Sequence, residues 1–201
     1  ILLRNSKEYF VCSECDLLFM DPLKHPSQDE QKERYKKHKN SVQDAGYKDF
    51  LMQVASPCFE FIDKDSECLD YGCGPTKVME ELFKKNGYMM TSYDPFFYPQ
   101  IPNKKYDLVT CNEVIEHFTF PDKELKKLCD LLKVGAYLAI GTQTWDERID
   151  LKNWHYLTDP THISIYKRHT LEVIARLFGL VTVGQNDDRV ILFRKTSEIN
   201  R

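Results

Sequence analysis

The stretch from Glu67 to Asp94 most constrains what this chain can fold into. It starts with a short apolar run, continues through Asp70-Tyr71-Gly72-Cys73-Gly74, and then shows a helical pattern and a second apolar run. A buried strand that turns sharply into a helix beside a ligand has this pattern, because glycines allow positive φ angles and close approach of the backbone. The stretch therefore predicts a strand, a glycine turn, a helix and a second strand.

Asp94 lies where the second of these strands is predicted to end. Acidic side chains at this place in nucleotide-binding sheets accept hydrogen bonds from ribose hydroxyls, so a cofactor that contains a ribose is indicated. The dinucleotide-binding fingerprint also needs a third glycine, and Lys77 stands at that position. A dehydrogenase is therefore disfavoured.

The pattern Asp70-x-Gly72-x-Gly74 resembles motif I of the class I S-adenosylmethionine-dependent methyltransferases, with Thr76 where many members have a further glycine. Residues 106–118 resemble the fourth strand of that family and the loop after it, and residues 133–141 resemble its fifth strand. The resemblance implies an α/β fold: a Rossmann-like methyltransferase sheet with helices on both faces and a C-terminal antiparallel hairpin. A small N-terminal Cys-x-x-Cys and helical extension precedes it.

The segment between Asp94 and Tyr106 is too short for the usual family topology. It holds eleven residues, whereas a parallel crossover alone takes about a dozen or more. We therefore predict that the second helix and third strand of the family are missing. The sheet should have about six strands, one fewer than is usual in the family.

Three segments are predicted along the 201 residues. Residues 1–26 are expected to form a cysteine knuckle, and residues 27–63 two helices that act as a lid. Residues 64–201 are expected to form the S-adenosylmethionine-dependent methyltransferase domain. The basic residues between positions 32 and 39 are interpreted first as a solvated face, with a substrate-facing patch as the alternative.

Cys12 and Cys15 form the only closely spaced pair among seven cysteines. Two thiolates at this spacing can share one zinc ion, as in half of a zinc ribbon, but zinc needs two more ligands. Because the chain begins at Ile1 and not at a methionine, the missing ligands are expected upstream. Two ordinary reduced thiols are the alternative.

The net charge, the lengths of the apolar runs and the distribution of cysteines exclude several classes of protein. A net charge of −3 gives no overall basic field, so nucleic-acid binding is disfavoured. No apolar run has the length of a membrane span, and no leader is visible at the start, so no membrane partner is expected. The scattered cysteines are typical of a reducing compartment, and a cytoplasmic protein is predicted. Nothing in the sequence indicates an oligomeric state.

The resemblance implies S-adenosylmethionine as the cofactor and assigns residues to it. Those expected around the cofactor are Asp70, Gly72, Gly74, Asp94, Phe96, Asn112 and Glu113. Phe96 is placed to stack on adenine, and packing in the core is the alternative for its ring.

His117 and His162 are the candidate catalytic bases. His117 follows the fourth strand, and His162 follows a polar, aromatic insertion at residues 146–161 that is expected to contact the substrate. Alignment of a nucleophile with the activated methyl supplies most of the rate, up to about 7–11 kcal/mol in ideal systems. A hydroxyl acceptor must also lose a proton, for which a histidine is suited.

The predicted function is therefore methyl transfer to a small molecule at oxygen. The residues after Asn112 differ from the Asn-Pro-Pro-Tyr type motif of the amino-methylating branch, and no carboxylate cluster for a metal-dependent reaction can be assembled from the sequence. The alternative is a catalytically silent module that binds a protein or RNA partner, motivated by Thr76 and the shortened sheet.

Overall fold

A mixed six-stranded sheet forms the centre of the computed structural model, which describes residues 7–37, 41, 43–101, 103–186 and 189–197. The helices in this part of the chain are α1 (Gln28–Lys36), α2 (Ala45–Cys58), α3 (Val78–Lys85), α4 (Pro121–Asp130) and α5 (Arg168–Leu177). The strands are β1 (Tyr9–Val11), β2 (Leu18–Met20), β3 (Glu67–Tyr71), β4 (Met89–Tyr93), β5 (Tyr106–Asn112), β6 (Leu132–Gly141), β7 (Ser164–Ile165), β8 (Leu180–Asn186) and β9 (Val190–Lys195).

The strands of the large sheet follow the order β4-β3-β5-β6-β9-β8. The first four are parallel, and the C-terminal hairpin β8–β9 joins antiparallel to β6. The six strands and the hairpin confirm the predicted sheet. Parallel pairing also places the carboxyl ends of β3, β4 and β5 at one edge, which is where open α/β sheets bind ligands.

The chain after β4 folds back on itself instead of forming a helix. The backbone N–H of Asp94 donates to the Tyr98 carbonyl at 3.0 Å, and the N–H of Tyr98 donates to the Asp94 carbonyl at 2.9 Å. β4 is consequently an edge strand of the described sheet. The described residues of this segment form no helix and no further strand of the large sheet before β5, as its length predicted.

Helices cover both faces of the sheet because each strand alternates its buried side chains. In β3, Leu69 faces the hydrophobic cluster that includes α4 and α5, and Cys68 faces the cluster that includes α2 and α3. Successive strand residues point to opposite faces. Helices on both faces confirm the prediction, and none of the described helices is long and apolar enough to cross a membrane.

The N-terminal knuckle is part of a second, three-stranded sheet. β1 pairs antiparallel with β2, and β2 pairs antiparallel with β7, where Leu18 lies opposite Ile165. A third hydrophobic cluster, which we call the knuckle cluster, fills the space beneath. Its buried members are Tyr9, Leu18, Met20, Tyr156, Leu157, Ile163 and Ile165. The knuckle therefore packs on the insertion that precedes β7, while the segment boundaries at 26 and 63 stay a prediction.

The two helices after the knuckle begin at capping residues. Ser27 and Glu30 form a capping box at the start of α1, and the Asp44 carboxylate accepts from the Tyr47 N–H at the start of α2. Each cap satisfies a backbone N–H that has no partner within the helix. The charged residues after the capping box predict a helix to about Lys39, whereas α1 ends at Lys36; residues 38 and 39 lie outside the described residues.

Candidate active site

The glycine turn after β3 is closely packed at one glycine and open at the other. Gly72 (φ 84°) lies against Val114, whose Cγ2 would be 2.3 Å from an added Cβ. Gly74 (φ 65°) has no atom within 4 Å of the place where a Cβ would be. Both positive φ angles favour glycine. Gly72 is thus needed for packing, and Gly74 leaves free space beside the backbone.

Asp94 holds this turn in place. One carboxylate oxygen accepts from the Gly74 N–H at 3.1 Å, and the other accepts from the N–H groups of Phe96 at 2.8 Å and Phe97 at 3.2 Å. The carbonyl of Tyr93 accepts from the Gly72 N–H at 2.8 Å. The turn and the carboxylate are therefore fixed relative to each other before any ligand binds.

A cavity of about 940 Å³ opens at this edge of the sheet. Ligand pockets in proteins have volumes of about 300–1,000 Å³, so an adenosyl cofactor and a small acceptor can both fit. The predicted site residues that line it are Gly72, Gly74, Asp94, Phe96, Asn112, Glu113, His117 and His162. The structure thus brings together nearly all the residues that the sequence assigned to cofactor and catalysis.

Asp70 is the exception, because it does not line the cavity. Its side chain is buried behind the turn, and one carboxylate oxygen accepts from the Thr110 hydroxyl at 3.0 Å. Burial raises the pKa of Asp70 to about 7. The first acidic residue of the motif therefore lies within the sheet, and its predicted contact with the cofactor is not supported by its position.

Asn112 and Glu113 are oriented by an arginine that the sequence did not single out. Arg189 Nη2 lies 3.3 Å from a Glu113 carboxylate oxygen and 3.4 Å from the Asn112 side-chain oxygen. The guanidinium carbon also lies 3.5 Å from the centre of the Phe50 ring. Arg189 belongs to the turn of the C-terminal hairpin, where no sequence motif marks it as a site residue.

The two histidines have defined tautomers. Nδ1 of His117 lies 2.9 Å from the Thr161 carbonyl oxygen, and Nδ1 of His162 lies 2.6 Å from the Tyr156 carbonyl oxygen. A carbonyl oxygen only accepts, so Nδ1 carries the proton in both neutral rings and Nε2 keeps its lone pair. The ring centres are 4.9 Å apart.

Burial keeps both rings neutral. It lowers the pKa of His117, although the hydrogen bond to the Thr161 carbonyl acts in the opposite direction. It also lowers the pKa of His162, with His117 as a further cause. Both histidines therefore present an unprotonated nitrogen near neutral pH, which is the state that a general base or a metal ligand requires.

Glu116 lies beneath the two histidines and was not among the predicted site residues. Its side chain is fully buried. One oxygen accepts from the Tyr156 hydroxyl at 2.6 Å and the other from the Thr142 hydroxyl at 3.0 Å. Folding brings this single carboxylate close to the imidazoles of His117 and His162, a mixed group that differs from the carboxylate cluster considered in the sequence.

Helices α1 and α2 form the wall of the cavity opposite the sheet. Their lining residues are Gln28, Gln31, Tyr35, Tyr47 and Phe50. The Tyr35 ring is centred 5.7 Å from that of Phe96 and 5.2 Å from that of His117. The Arg34 guanidinium pairs with the Asp159 carboxylate at 2.6 Å. The helices are positioned to cover a ligand, and the lid role itself stays a prediction.

The insertion at residues 146–161 does not line the cavity, so the expected direct contact with substrate is corrected. Tyr156 and Leu157 instead pack into the knuckle cluster. The insertion acts through its backbone, because the carbonyls of Tyr156 and Thr161 orient His162 and His117. A sequence rich in aromatic and polar residues does not reveal which of its groups face inward.

Cys12 and Cys15 occupy a tight turn, in which the Cys12 N–H donates to the Leu17 carbonyl and the Asp16 N–H donates to the Cys12 carbonyl, both at 2.9 Å. A hydrogen bond from the Glu14 backbone lowers the pKa of Cys12. Within the described residues, the one group of three or more metal-ligating side chains is elsewhere in the fold. His25, the histidine nearest to this pair in sequence, lines the cavity instead, and its Nε2 lies 3.1 Å from the Met20 carbonyl oxygen. A zinc site at the cysteine pair is therefore not supported.

The sheet order, the glycine turn and the cavity define an α/β protein that binds a nucleoside-containing cofactor at the carboxyl edge of its sheet. The sequence matches the methyltransferase domain family over residues 17–185. The chain therefore belongs to this family, as a class I S-adenosylmethionine-dependent methyltransferase. No curated protein sequence matches it.

Solved structures share the fold at low sequence identity. The 1,6-didemethyltoxoflavin-N1-methyltransferase of Burkholderia thailandensis, with bound 1,6-didemethyltoxoflavin and S-adenosylhomocysteine, has a TM-score of 0.65 at 13% identity and covers 95% of this chain and 99% of its own. An O-methyltransferase family protein of the same organism has a TM-score of 0.57 at 12% identity and covers 89% of this chain and 66% of its own. The [4+2]-cyclase SpnF has a TM-score of 0.56 at 12% identity and covers 86% of this chain and 98% of its own.

Proposed function

We propose that this protein transfers the methyl group of S-adenosylmethionine to a hydroxyl oxygen of a small molecule. The observation that carries the choice of oxygen is the pair of neutral imidazoles at the cavity wall, His117 and His162, whose Nε2 atoms can accept a proton. A hydroxyl must lose its proton during methyl transfer, and histidine is the usual base for this step.

The residues around the glycine turn fit the adenosyl part of the cofactor. Asp94 is the acceptor for the ribose hydroxyls, and the open space beside Gly74 admits the cofactor next to the backbone. Phe96 offers a ring face to adenine. Asn112 and Glu113, held by Arg189, supply acceptors at the end of β5.

In the reaction, the cofactor supplies a methyl group on a sulfonium, which is a leaving group that needs no further activation. The chain binds and aligns the acceptor with this methyl, and α1 and α2 exclude water from the cavity. Nε2 of His117 or His162 takes the hydroxyl proton as the oxygen attacks. Correct alignment accounts for most of the rate, and a positioned base contributes about 10²–10⁴-fold.

The size and lining of the cavity support a small acceptor. Tyr35, Phe118 and Phe120 contribute aromatic surface on the side of the histidines. Such surfaces bind planar or apolar molecules through ring contacts. The neighbour of Burkholderia thailandensis that binds 1,6-didemethyltoxoflavin has the same fold and a small acceptor, which supports the size class and not the acceptor itself.

A catalytically silent binding module is not favoured. Thr76 and the shortened sheet are the features that favour such a module. The cavity beside the glycine turn and Asp94 is nevertheless open, so a cofactor has room to bind. The cyclase SpnF also has this fold, so turnover must be measured and not assumed from the fold.

Calorimetry with S-adenosylhomocysteine tests the cofactor site. We expect a dissociation constant on the order of micromolar, about −8 kcal/mol, and loss of the binding heat in Asp94→Ala. Asp130→Ala, on the exposed surface of α4, is the matched control and should bind like the natural protein. Absence of heat with the natural protein would remove the proposal.

Incubation with labelled S-adenosylmethionine and cell metabolite fractions tests the methyl transfer. We expect label in a small molecule with an alkali-stable methyl ether. His117→Gln and His162→Gln should lower the rate about 10²-fold or more while S-adenosylhomocysteine still binds. His155→Gln, on the exposed part of the insertion, should leave the rate unchanged. Label in protein or RNA alone would contradict the small-molecule assignment.

A further inference from the structure

Glu116, His117 and His162 form a compact group of donor atoms at the floor of the cavity. One carboxylate oxygen of Glu116 and one ring nitrogen of each histidine all lie within 4.8 Å of one another. No other group of three such side chains occurs in the described part of the chain. Both histidines line the cavity, whereas Glu116 is fully buried behind them.

Each donor is held from behind by a hydrogen bond. The imidazoles donate Nδ1–H to the carbonyls of Thr161 and Tyr156, which leaves Nε2 available. The Glu116 carboxylate accepts from Tyr156 and Thr142, and each oxygen retains a further lone pair. Ligands of metal ions are oriented in this manner, with the second ring nitrogen of histidine bonded to a backbone carbonyl or a carboxylate.

The group also lacks a direct cationic partner. Glu116 is fully buried, and none of the ion pairs formed among the described residues includes it. Arg189 is bonded to Glu113 and Asn112 instead. A buried carboxylate is costly unless it is paired or coordinates a metal. A divalent cation among the three donors would stabilise the ionised form of the Glu116 carboxyl.

The donor set selects the kind of ion. Two imidazoles and one carboxylate suit zinc and other divalent first-row transition metals, whereas magnesium and calcium prefer oxygen ligands. With bonds of about 2.0–2.2 Å, the donors around such an ion lie about 3.5–4 Å apart. The donor atoms lie within 4.8 Å of one another, so they must approach one another when the ion binds.

We propose that Glu116, His117 and His162 bind one divalent first-row transition-metal ion whose open coordination positions face the cavity and take the hydroxyl of the acceptor. This inference rests on the proposed O-methylation and specifies how the hydroxyl is made acidic. A metal ion lowers the pKa of a bound water from about 15.7 to about 7, and a hydroxyl responds in the same sense. With the ion bound, both Nε2 lone pairs are used as ligands, so His117 and His162 act as bases only in the metal-free protein.

The balance of the step is simple. The O–H bond of the acceptor breaks and its proton passes to solvent water. The electron pair of the oxygen forms the new C–O bond while the C–S bond to the sulfonium breaks and its electrons return to sulfur. The positive charge lost from sulfur equals that of the released proton, so no oxidant or reductant is needed.

Metal content tests the site directly. The full chain is stripped with chelator, dialysed against Zn²⁺, desalted and subjected to elemental analysis, and we expect about one zinc per chain. Glu116→Gln and His162→Gln should lose it, whereas His155→Gln should keep it. The double variant Cys12→Ser/Cys15→Ser should also keep it, which separates this site from the cysteine knuckle.

A second readout keeps the inference falsifiable if Glu116→Gln fails to fold. Co²⁺ bound to the natural chain should give visible ligand-field bands without the near-ultraviolet band of thiolate-bound cobalt. A thiolate band, zinc loss only in Cys12→Ser/Cys15→Ser, or no retained metal would each overturn the inference. Calorimetry with S-adenosylhomocysteine on the metal-free chain reports on the proposed function separately, since the cofactor residues are not ligands of the ion.

Discussion

Gly72 and Gly74 have similar backbone conformations and different surroundings, so the same substitution should have different effects at each. Gly74→Ala costs about 1–2 kcal/mol for the left-handed backbone and places a methyl group in the free space beside the turn. We expect the affinity for S-adenosylhomocysteine to fall at least about tenfold, about 1.4 kcal/mol. Calorimetry on the folded variant measures this.

Gly72→Ala should instead act on stability. The added Cβ would lie 2.3 Å from Val114 Cγ2, and such overpacking costs about 1–3 kcal/mol beyond the backbone strain. Urea unfolding should therefore show a larger loss for Gly72→Ala than for Gly74→Ala. Equal losses of stability in the two variants would contradict the different surroundings of the glycines.

Asp70 should make the stability of the protein depend on pH. Burial raises the pKa of Asp70 from 3.8 to about 7 in the folded state. The folded state therefore binds the proton more tightly than the unfolded state. The resulting stabilisation is fully present below about pH 3.8 and is lost as the pH rises through 7. Asp70→Asn stays neutral and can keep the bond from Thr110. We expect equal stability of the two proteins near pH 4 and an advantage of a few kcal/mol for the variant at pH 8, on the order given by 1.4 kcal/mol per pKa unit.

Urea unfolding at pH 4, 6 and 8 measures this difference. Asp130→Asn, at an exposed position of α4, is the control and should follow the natural protein throughout. A gap between Asp70→Asn and the natural protein that is the same at every pH would show that burial does not perturb the Asp70 carboxyl.

At the scale of elements, the ion pair between Arg34 and Asp159 should hold α1 over the cavity. The pair is partly buried, with 35% of the Arg34 side chain and 12% of the Asp159 side chain exposed, so we estimate its contribution at about 1 kcal/mol. Arg34→Ala should speed hydrogen exchange in α1 and weaken S-adenosylhomocysteine binding several-fold.

Lys36→Ala is the matched control, because it removes an exposed pair with Glu33 on the same helix. It should change neither hydrogen exchange over Gln28–Lys36 nor cofactor affinity. If Arg34→Ala behaves like Lys36→Ala, then the packing of Tyr35 against Phe96 and His117 holds α1 without help from the ion pair.

The elements that the sequence predicted well are those specified by residues close to one another in the chain. The glycine turn, the shortened segment after Asp94 and the C-terminal hairpin each follow from residue types and distances along the chain. The pairing of β2 with β7 could not be predicted in this way, because Leu18 and Ile165 are far apart in sequence and the strands have three and two residues.

The same reason explains which site residues were missed. Glu116 stands beside His117 in a segment that looks like an ordinary loop, and its importance depends on Thr142 and Tyr156, which lie 26 and 40 residues away. Arg189 reaches Glu113 across 76 residues. Pattern and spacing identify residues near a turn, but not side chains that meet only after folding.

At the scale of the whole molecule, the knuckle should unfold together with the large sheet, because Leu17 packs against the core cluster that includes Leu69 of β3 and the Thr170 hydroxyl of α5 donates to the Cys15 carbonyl at 2.7 Å. Leu18 is fully buried in the knuckle cluster and Leu23 is 93% exposed. Leu18→Ala should cost about 2–5 kcal/mol, and Leu23→Ala should change stability little.

Fluorescence and circular dichroism together distinguish one unfolding transition from two. Both tryptophans, Trp145 and Trp154, pack against the knuckle cluster, so fluorescence reports on it, whereas far-ultraviolet circular dichroism reports on all helices and strands. We expect both signals to change at one urea concentration in the natural protein and at one lower concentration in Leu18→Ala. A fluorescence change that precedes the dichroism change would make residues 1–26 an independent unit.

The orientation of both imidazoles by main-chain carbonyls has a consequence for how the protein can change. A side-chain replacement at Thr161 leaves the carbonyl that orients His117 in place. A replacement at Tyr156 also keeps the carbonyl that orients His162, and only the hydroxyl that donates to Glu116 constrains which side chain is tolerated there. The side chains of α1, by contrast, touch whatever occupies the cavity. New acceptors can therefore be recruited by altering one short helix while the reactive centre stays as it is.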